Sequence, residues 1–196
     1  MSAKLLTASG GGVILDAANT ATDKTLTLPA LDDTVLTRTT NVTSGTAVAS
    51  TSGTSIDFTG IPSWVKRITV LINGVSTNGA SPVQVQIGAG SVTTSGYGGS
   101  GTSLNASATS TSSYTGGFAF GQSTQAAVMV RNGNLLLTLV SGNIWAASGL
   151  VARSDGAEIQ LTGGVVTLGG VLDRVRITTV NGTDTFDAGS INILYE

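Results

Sequence analysis

The sequence contains no cysteine and no histidine among its 196 residues. Without cysteine there can be no disulfide bond and no thiolate metal site. Without histidine the chain lacks the usual general base and the commonest metal ligand of proteins. We therefore expect a protein that is not an enzyme and that binds no cofactor and no metal ion.

Charge is also scarce. Charged residues make up 10% of the chain and the formal net charge is −2, whereas an average soluble domain is about 25% charged. The nine Lys and Arg residues form no basic run, so we expect no nucleic-acid partner. No apolar stretch approaches the roughly 20 residues that cross a bilayer. We expect no membrane insertion, and synthesis in a bacterial cytoplasm.

Small and hydroxylated residues fill most of the remaining positions, with 27 Gly and about a quarter Ser and Thr. An apolar content of 40% with so little net charge does not fit a disordered chain. A β-protein with many turns explains this composition. A subunit covered by its own copies explains it better, because charge is depleted at interface cores. We therefore favour a homo-oligomer.

Residues 1–40 form a separate unit of short β-prone runs at 13–15, 25–28 and 34–37. The period-2 positions in the last two runs are Leu26 and Leu28, then Val35. Such small pieces cannot bury a core alone, so they need a partner chain or a larger body. We assign Leu26, Leu28 and Val35 as attachment residues, and residues 41–46 as a linker.

Residues 47–196 have the pattern of one all-β domain, with many short alternating runs separated by Gly, Asn and Ser. No window has a helical period with caps, so helix content should be low. The spacing predicts a jelly-roll-like β-sandwich. Asn132-Gly133-Asn134 is the strongest hairpin signal. The other expected connections are Asn73-Gly74, Asn78-Gly79, Ser141-Gly142-Asn143 and Gly163-Gly164.

Residues 89–117 are nearly all Gly, Ser, Thr and Ala, and such a long loop is usually mobile or functional. A flexible excursion is one interpretation. The other is an exposed contact loop with Tyr97 and Tyr114 as aromatic anchors for a receptor. The G-x-G-x-x-G match at 96–101 has no following helix or acidic residue, so it does not predict a dinucleotide site.

Two groups of polar residues are candidates for chemistry. Asn181, Asp184 and Asp187 could supply oxygen ligands to Ca²⁺, although turn formation is the usual role of Asn and Asp. Asp155 and Glu158 lie in a polar turn, which does not favour a catalytic role. The carboxylates of the chain therefore predict no active site.

The last 26 residues contain two period-2 runs, 174–180 and 190–195, with Asn181-Gly182 as a turn signal after the first. This alternation predicts a sheet edge or a closing hairpin. A terminus tied into a sheet is structurally required. With the low charge, we interpret these strands as the end of a domain that clasps other subunits.

Three stretches resemble a family of short bacteriophage tail-fibre-like virion proteins. The first is GGGVILDAANTATDKTLTLPALDDTVLT, with the "TLTLP…TVLT" pattern of phage fibre and collar proteins. The second is SIDFTGIPSWVKRITVLINGVSTN, followed by SPVQVQI. The third and most specific is LDRVRITTVNGTDTFDAGSINILYE. Together these stretches cover about half of the chain, and the 89–170 region resembles the family least.

The resemblance implies a virion structural protein, commonly trimeric, attached to a tail or a head and used in adsorption. Its expected partners are its own copies in a homotrimer, other virion proteins and a host cell-surface glycan. A fibre usually has a long shaft between its two ends, and this chain has almost none. The alternative is therefore a capsid decoration or head-fibre protein with the same two parts. In both cases the expected location is the virion.

Overall fold

The computed structural model describes residues 3–6, 12–15, 42–127 and 129–196. The chain divides into two compact units, Met1–Leu36 and Thr37–Glu196. In the first unit, β1 (Ala3–Leu6) pairs antiparallel with β2 (Gly12–Leu15). Within the described ranges, no helix is long and apolar enough to cross a membrane.

The second unit is built from two antiparallel sheets and confirms the all-β prediction. The strands of the larger sheet are β3 (Thr43–Ser44), β4 (Val48–Ala49), β6 (Arg67–Thr77), β9 (Gly98–Asn105), β10 (Thr109–Tyr114), β12 (Arg131–Ser141), β13 (Ile144–Arg153), β14 (Glu158–Thr167) and β16 (Phe186–Tyr195). Those of the smaller sheet are β5 (Ser55–Thr59), β7 (Val83–Ala89), β8 (Ser91–Val92), β11 (Phe118–Ala119) and β15 (Arg174–Thr179).

The nine-stranded sheet has the order β10-β9-β14-β13-β12-β6-β16-β3, and β4 also pairs with β16. The five-stranded sheet has the order β11-β7-β15-β5, and β8 pairs with β7. The short β3 and β4 pair with β16, so part of the expected linker 41–46 belongs to the sheet. The two sheets form a β-sandwich; its jelly-roll connectivity stays a prediction.

Alternating side chains build a single core between the two sheets. In β6, Ile68, Val70 and Ile72 are buried, while the residues between them face outward. Val175 and Ile177 of β15 contribute from the smaller sheet to the same cluster. Burial of each such side chain stabilises the fold by about 1.5–3 kcal/mol. The core therefore follows from the period-2 pattern.

Three of the expected connections lie inside strands, so these turn predictions are wrong. Asn73-Gly74 is part of β6, and Asn132-Gly133-Asn134 is part of β12, which pairs with β13 on one side and β6 on the other. Gly163-Gly164 is part of β14, where Gly164 lies opposite Gly99 of β9. Cross-strand pairing on both sides overrides the local preference for a turn. The expected turn at Ser141-Gly142-Asn143 is confirmed, because the β12–β13 hairpin turns at Gly142, whose φ is +52°.

The two C-terminal strands do not form a hairpin with each other. β15 lies inside the five-stranded sheet between β7 and β5, and β16 lies in the nine-stranded sheet next to β6. The expected turn at Asn181-Gly182 does form, with Gly182 N–H donating to Thr179 O at 3.0 Å. The chain therefore crosses from one sheet to the other after this turn, and the C-terminal segment contributes one strand to each sheet.

Part of the interior is polar. Under β14, the buried Gln160 and Thr162 alternate with outward-facing residues, and the buried Arg131 of β12 reaches the same region. Arg131 Nε donates to Gln160 Oε1 at 3.1 Å, and its Nη1 donates to Met129 O at 3.0 Å. Its Nη2 donates to Gln125 Oε1. Every guanidinium nitrogen of Arg131 thus donates a hydrogen bond, as a buried charge requires, whereas the buried hydroxyl of Thr162 has no hydrogen-bond partner among the described residues.

Candidate functional site: a neutral polar cleft

Residues 89–117 are not one long loop. β8, β9 and β10 occupy most of this stretch, and β9 and β10 form a hairpin at the edge of the nine-stranded sheet. The hairpin turn is held by Asn105 Oδ1, which accepts hydrogen bonds from the N–H groups of Ser107 and Ala108. The prediction of a long excursion is therefore wrong, because β14 supplies a pairing strand for β9.

Tyr97 is a structural residue. Its side chain is 2% exposed, and its ring packs edge-on against Phe118 with centroids 4.9 Å apart. Its hydroxyl accepts from Ile87 N–H at 2.9 Å and lies 3.0 Å from Thr93 O. Burial raises the pKa of Tyr97 to about 12. The expectation of an exposed anchor at Tyr97 is wrong, because this side chain fixes the chain to β7.

Tyr114 is buried as well, with 6% of its surface exposed. Its hydroxyl donates to Gly121 O at 3.0 Å, and burial raises its pKa. The prediction that Tyr114 is exposed is therefore also wrong, although Tyr114 lines a cleft on the outer side of the five-stranded sheet, so its role as a contact residue stays a prediction. Its ring fixes β10 to the segment that follows β11.

The segment after β10 also forms one wall of this cleft, which has a volume of about 700 Å³. The floor comes from β7 and β15, and the opposite wall comes from residues 180–182 and from Thr54. Polar lining residues include Gln84, Gln86, Ser113, Thr115, Thr178 and Asn181. A single cleft thus collects hydroxyl and amide groups from four separate segments.

The floor of the cleft is held in place by hydrogen bonds to backbone. Gln86 Nε2 donates to Gly116 O at 2.7 Å, and Gln84 Nε2 donates to Thr179 O at 3.2 Å. A Cβ on Gly117 would lie 2.6 Å from Gln84 Oε1, so a larger residue there would displace the end of the Gln84 side chain. These hydrogen bonds therefore join the wall of the cleft to its floor.

The charge in the cleft is neutralised. Arg176 lies at its edge and makes two hydrogen bonds of 2.7 Å to the carboxylate of Asp57 on the neighbouring strand. This contact raises the pKa of Arg176, and it pairs the guanidinium with a carboxylate of opposite charge. The arrangement suits a neutral ligand with many hydroxyl groups better than an anion or a cation.

The candidate calcium ligands form a turn. Asn181 Oδ1 accepts from the N–H groups of Thr183 and Asp184, and Asn181 Nδ2 donates to Asp184 Oδ1 at 2.6 Å. Asp187 instead accepts from Ser76. In the part of the chain that the structure describes, no three acidic residues are grouped as metal ligands would be.

Leu26, Leu28 and Val35, the expected attachment residues, lie outside the described residues. Comparisons of the whole chain with protein-family models, with curated proteins and with solved structures give no significant match.

Proposed function

We propose that this chain is a bacteriophage virion structural protein, a tail-fibre-like appendage. Its N-terminal segment attaches to the virion, and its β-sandwich projects as a homotrimer for adsorption to the host surface. The phage-like sequence blocks support the virion assignment. The most specific of them, 172–196, contributes β15 to one sheet and β16 to the other, so the resemblance falls on residues that determine the fold.

The observation that supports adsorption is the neutral polar cleft. Its hydroxyl and amide groups match the donors and acceptors of a sugar, and sites of this kind use a few well-placed polar groups for orientation. Its volume of about 700 Å³ lies within the about 300–1,000 Å³ of small-molecule sites. We therefore propose a neutral cell-surface oligosaccharide as the ligand of the cleft.

A cleft-filling variant tests this proposal. Thr115→Tyr places a ring in the cleft, and Thr59→Tyr makes the same change at an exposed position of β5 that does not line it. Fluorescently labelled protein should bind to cells of a susceptible strain and to its purified surface polysaccharide. Thr115→Tyr should lower this binding at least tenfold, and Thr59→Tyr should leave it unchanged. Equal binding by both variants would refute the cleft as the site.

The alternative is a capsid decoration or head-fibre protein. One observation favours it: residues 42–196, apart from residue 128, belong to a sandwich unit and leave no elongated shaft within the described part of that unit. Gold-labelled antibody on intact particles separates the two proposals. Label on the tail supports the appendage, and label on the capsid faces with no binding to cells supports decoration.

A further inference from the structure

The outward side of the nine-stranded sheet has several exposed apolar side chains. Leu150 is 45% exposed, Ile159 44%, Leu161 38% and Val165 43%. Leu150 of β13 lies directly opposite Leu161 of β14. Side chains directly opposite each other on one face of a sheet are in contact, so Leu150 and Leu161 form an apolar pair, and Ile159 and Val165 lie on the same face of β14 on either side of Leu161.

The middle of this side of the sheet is also free of charge. We call it the neutral face, defined as the outward residues of β10, β9, β14, β13, β12, β6 and β16 without the strand-end residues Arg67 and Asp187. Its described positions are Ser, Thr, Asn, Gly, Ala, Leu, Ile and Val. Arg67 lies at the rim, where it pairs with Glu196, and Asp187 lies near the start of β16, where it accepts a hydrogen bond from Ser76.

The nearby charges point to the other side of their strands or lie at strand ends. Glu158 accepts from the buried Gln160 Nε2 at 2.8 Å, and Arg153 makes its ion pairs with Asp155 and Glu158 at the tip of the β13–β14 hairpin. By contrast, Arg176 and Asp57 lie on the outer side of the five-stranded sheet.

We infer that the neutral face is the surface through which copies of this chain contact one another. Identical subunits bring identical charges together, and like charges across an interface cost several kcal/mol. A face without charges removes that repulsion in any symmetric arrangement. A charged partner, in contrast, would find no complementary group here, and electrostatic complementarity is what usually selects such a partner.

The size of the face is also adequate. It spans seven strands, and a strand spacing of about 4.8 Å with a rise of about 3.3 Å per residue gives a flat area of about 800 Å². A stable interface buries about 800 Å² on each partner.

This inference rests on the proposed function only for the number of subunits in the oligomer. In the proposed homotrimer each subunit touches two neighbours, so different parts of the neutral face meet different copies. A dimer would use the same face once. The number of copies therefore tests the proposed function, whereas the dependence of assembly on the face tests the inference.

The experiment is sedimentation of the full 196-residue chain and of three variants. Leu161→Lys places a charge on the neutral face, and Leu161→Thr removes apolar area with a residue that suits strands. Val171→Lys is the control, since Val171 is 58% exposed and lies in the loop after β14. The Thr variant remains informative if the Lys variant does not fold, which circular dichroism will show.

The wild type and Val171→Lys should sediment as the same oligomer at micromolar concentration. Leu161→Lys should raise the dissociation constant at least a hundredfold, and Leu161→Thr about tenfold. Because the contact has no charges, sodium chloride from about 0.05 to 0.5 M should not weaken it. A wild-type monomer, or unchanged assembly in both folded Leu161 variants, would overturn the inference. A wild-type dimer that both variants dissociate would support it and would reject the proposed trimer.

Discussion

Arg131 Nε donates to Gln160 Oε1 at 3.1 Å, and Arg131 is 1% and Gln160 0% exposed. The acceptors around the guanidinium are neutral: Gln160, Gln125 and the backbone of Met129. Burial lowers the pKa of Arg131 to about 10, and the nearby Arg153 acts in the same direction. This buried cation is therefore held by amide dipoles rather than by a direct ion pair.

Loss of the Gln160 amide alone should lower the free energy of unfolding more than loss of both Gln160 and the Arg131 cation. Gln160→Leu leaves the buried Arg131 Nε without its acceptor, while Gln125 and Met129 still accept from the other guanidinium nitrogens, and should lower the free energy of unfolding by about 1–3 kcal/mol. The double variant Arg131→Met with Gln160→Leu removes the charge as well and should lose less. Urea unfolding measures both, with Gln122→Leu as a partly exposed control. A double variant less stable than Gln160→Leu would contradict this account.

Tyr97→Phe should destabilise the fold, because it removes the hydroxyl that bridges Ile87 and Thr93. The expected loss is about 1–3 kcal/mol at pH 7. The pKa of Tyr97 is raised to about 12 in the folded state, so the fold favours the neutral phenol. The stability that comes from this preference is fully present below about pH 10 and is lost as the pH rises through about 12.

The difference in stability between wild type and Tyr97→Phe should therefore shrink between pH 10 and 12. Denaturant unfolding at a series of pH values measures it, and absorbance of the phenolate reports the titration. Tyr195→Phe serves as the control. A difference that stays constant up to pH 12 would show that the hydroxyl does not act in this way.

Asp155 should contribute to stability in the acid range. Hydrogen bonds from Arg153 lower the pKa of Asp155 to about 2. A lowered folded-state pKa gives stability above about pH 4 that is lost as the pH falls to 2. Since the pair is partly exposed, the contribution at pH 7 should be below about 1 kcal/mol. Asp155→Asn should equal wild type in stability at pH 2 but not at pH 7, by thermal unfolding.

Removal of residues 191–196 should prevent folding. Ile191 and Ile193 are 1% and 3% exposed, and the segment pairs with β6. Loss of these two buried side chains alone costs several kcal/mol, which is comparable to the stability of a whole domain. Circular dichroism and solubility measure the effect, and Glu196→Gln is the control. A soluble, folded truncation would show that β16 is dispensable.

Strong alternation made part of the fold predictable from sequence. The runs at 174–180 and 190–195 matched β15 and β16 because their apolar residues recur at every second position. The hairpin turn predicted at Asn132-Gly133-Asn134 was wrong because the turn preference of these residues is local, whereas the pairing of β12 with two neighbouring strands is not. β9 and β10 have few apolar residues, so no alternation marks them, and only the contact with β14 stabilises them as strands.

The cleft could not be predicted. Its residues come from segments near 54, 84–86, 113–116 and 176–182, and nothing in a linear pattern brings these together. Within residues 89–117, Tyr97 and Tyr114 suggested a binding site from sequence, since aromatic residues in polar loops suit binding. They are buried because each hydroxyl finds a backbone carbonyl inside the fold, which allows a large ring to pack in the interior.

The position of β6 has a consequence for the speed of folding. β6 pairs with β12 on one side and with β16 on the other, and its partner Ser190 is 117 residues after Asn73. Loops must close before such distant strands can pair, and proteins dominated by non-local pairing fold slowly, in milliseconds to seconds. Until then both edges of an apolar strand stay open to other chains. Refolding yield should therefore fall steeply as protein concentration rises.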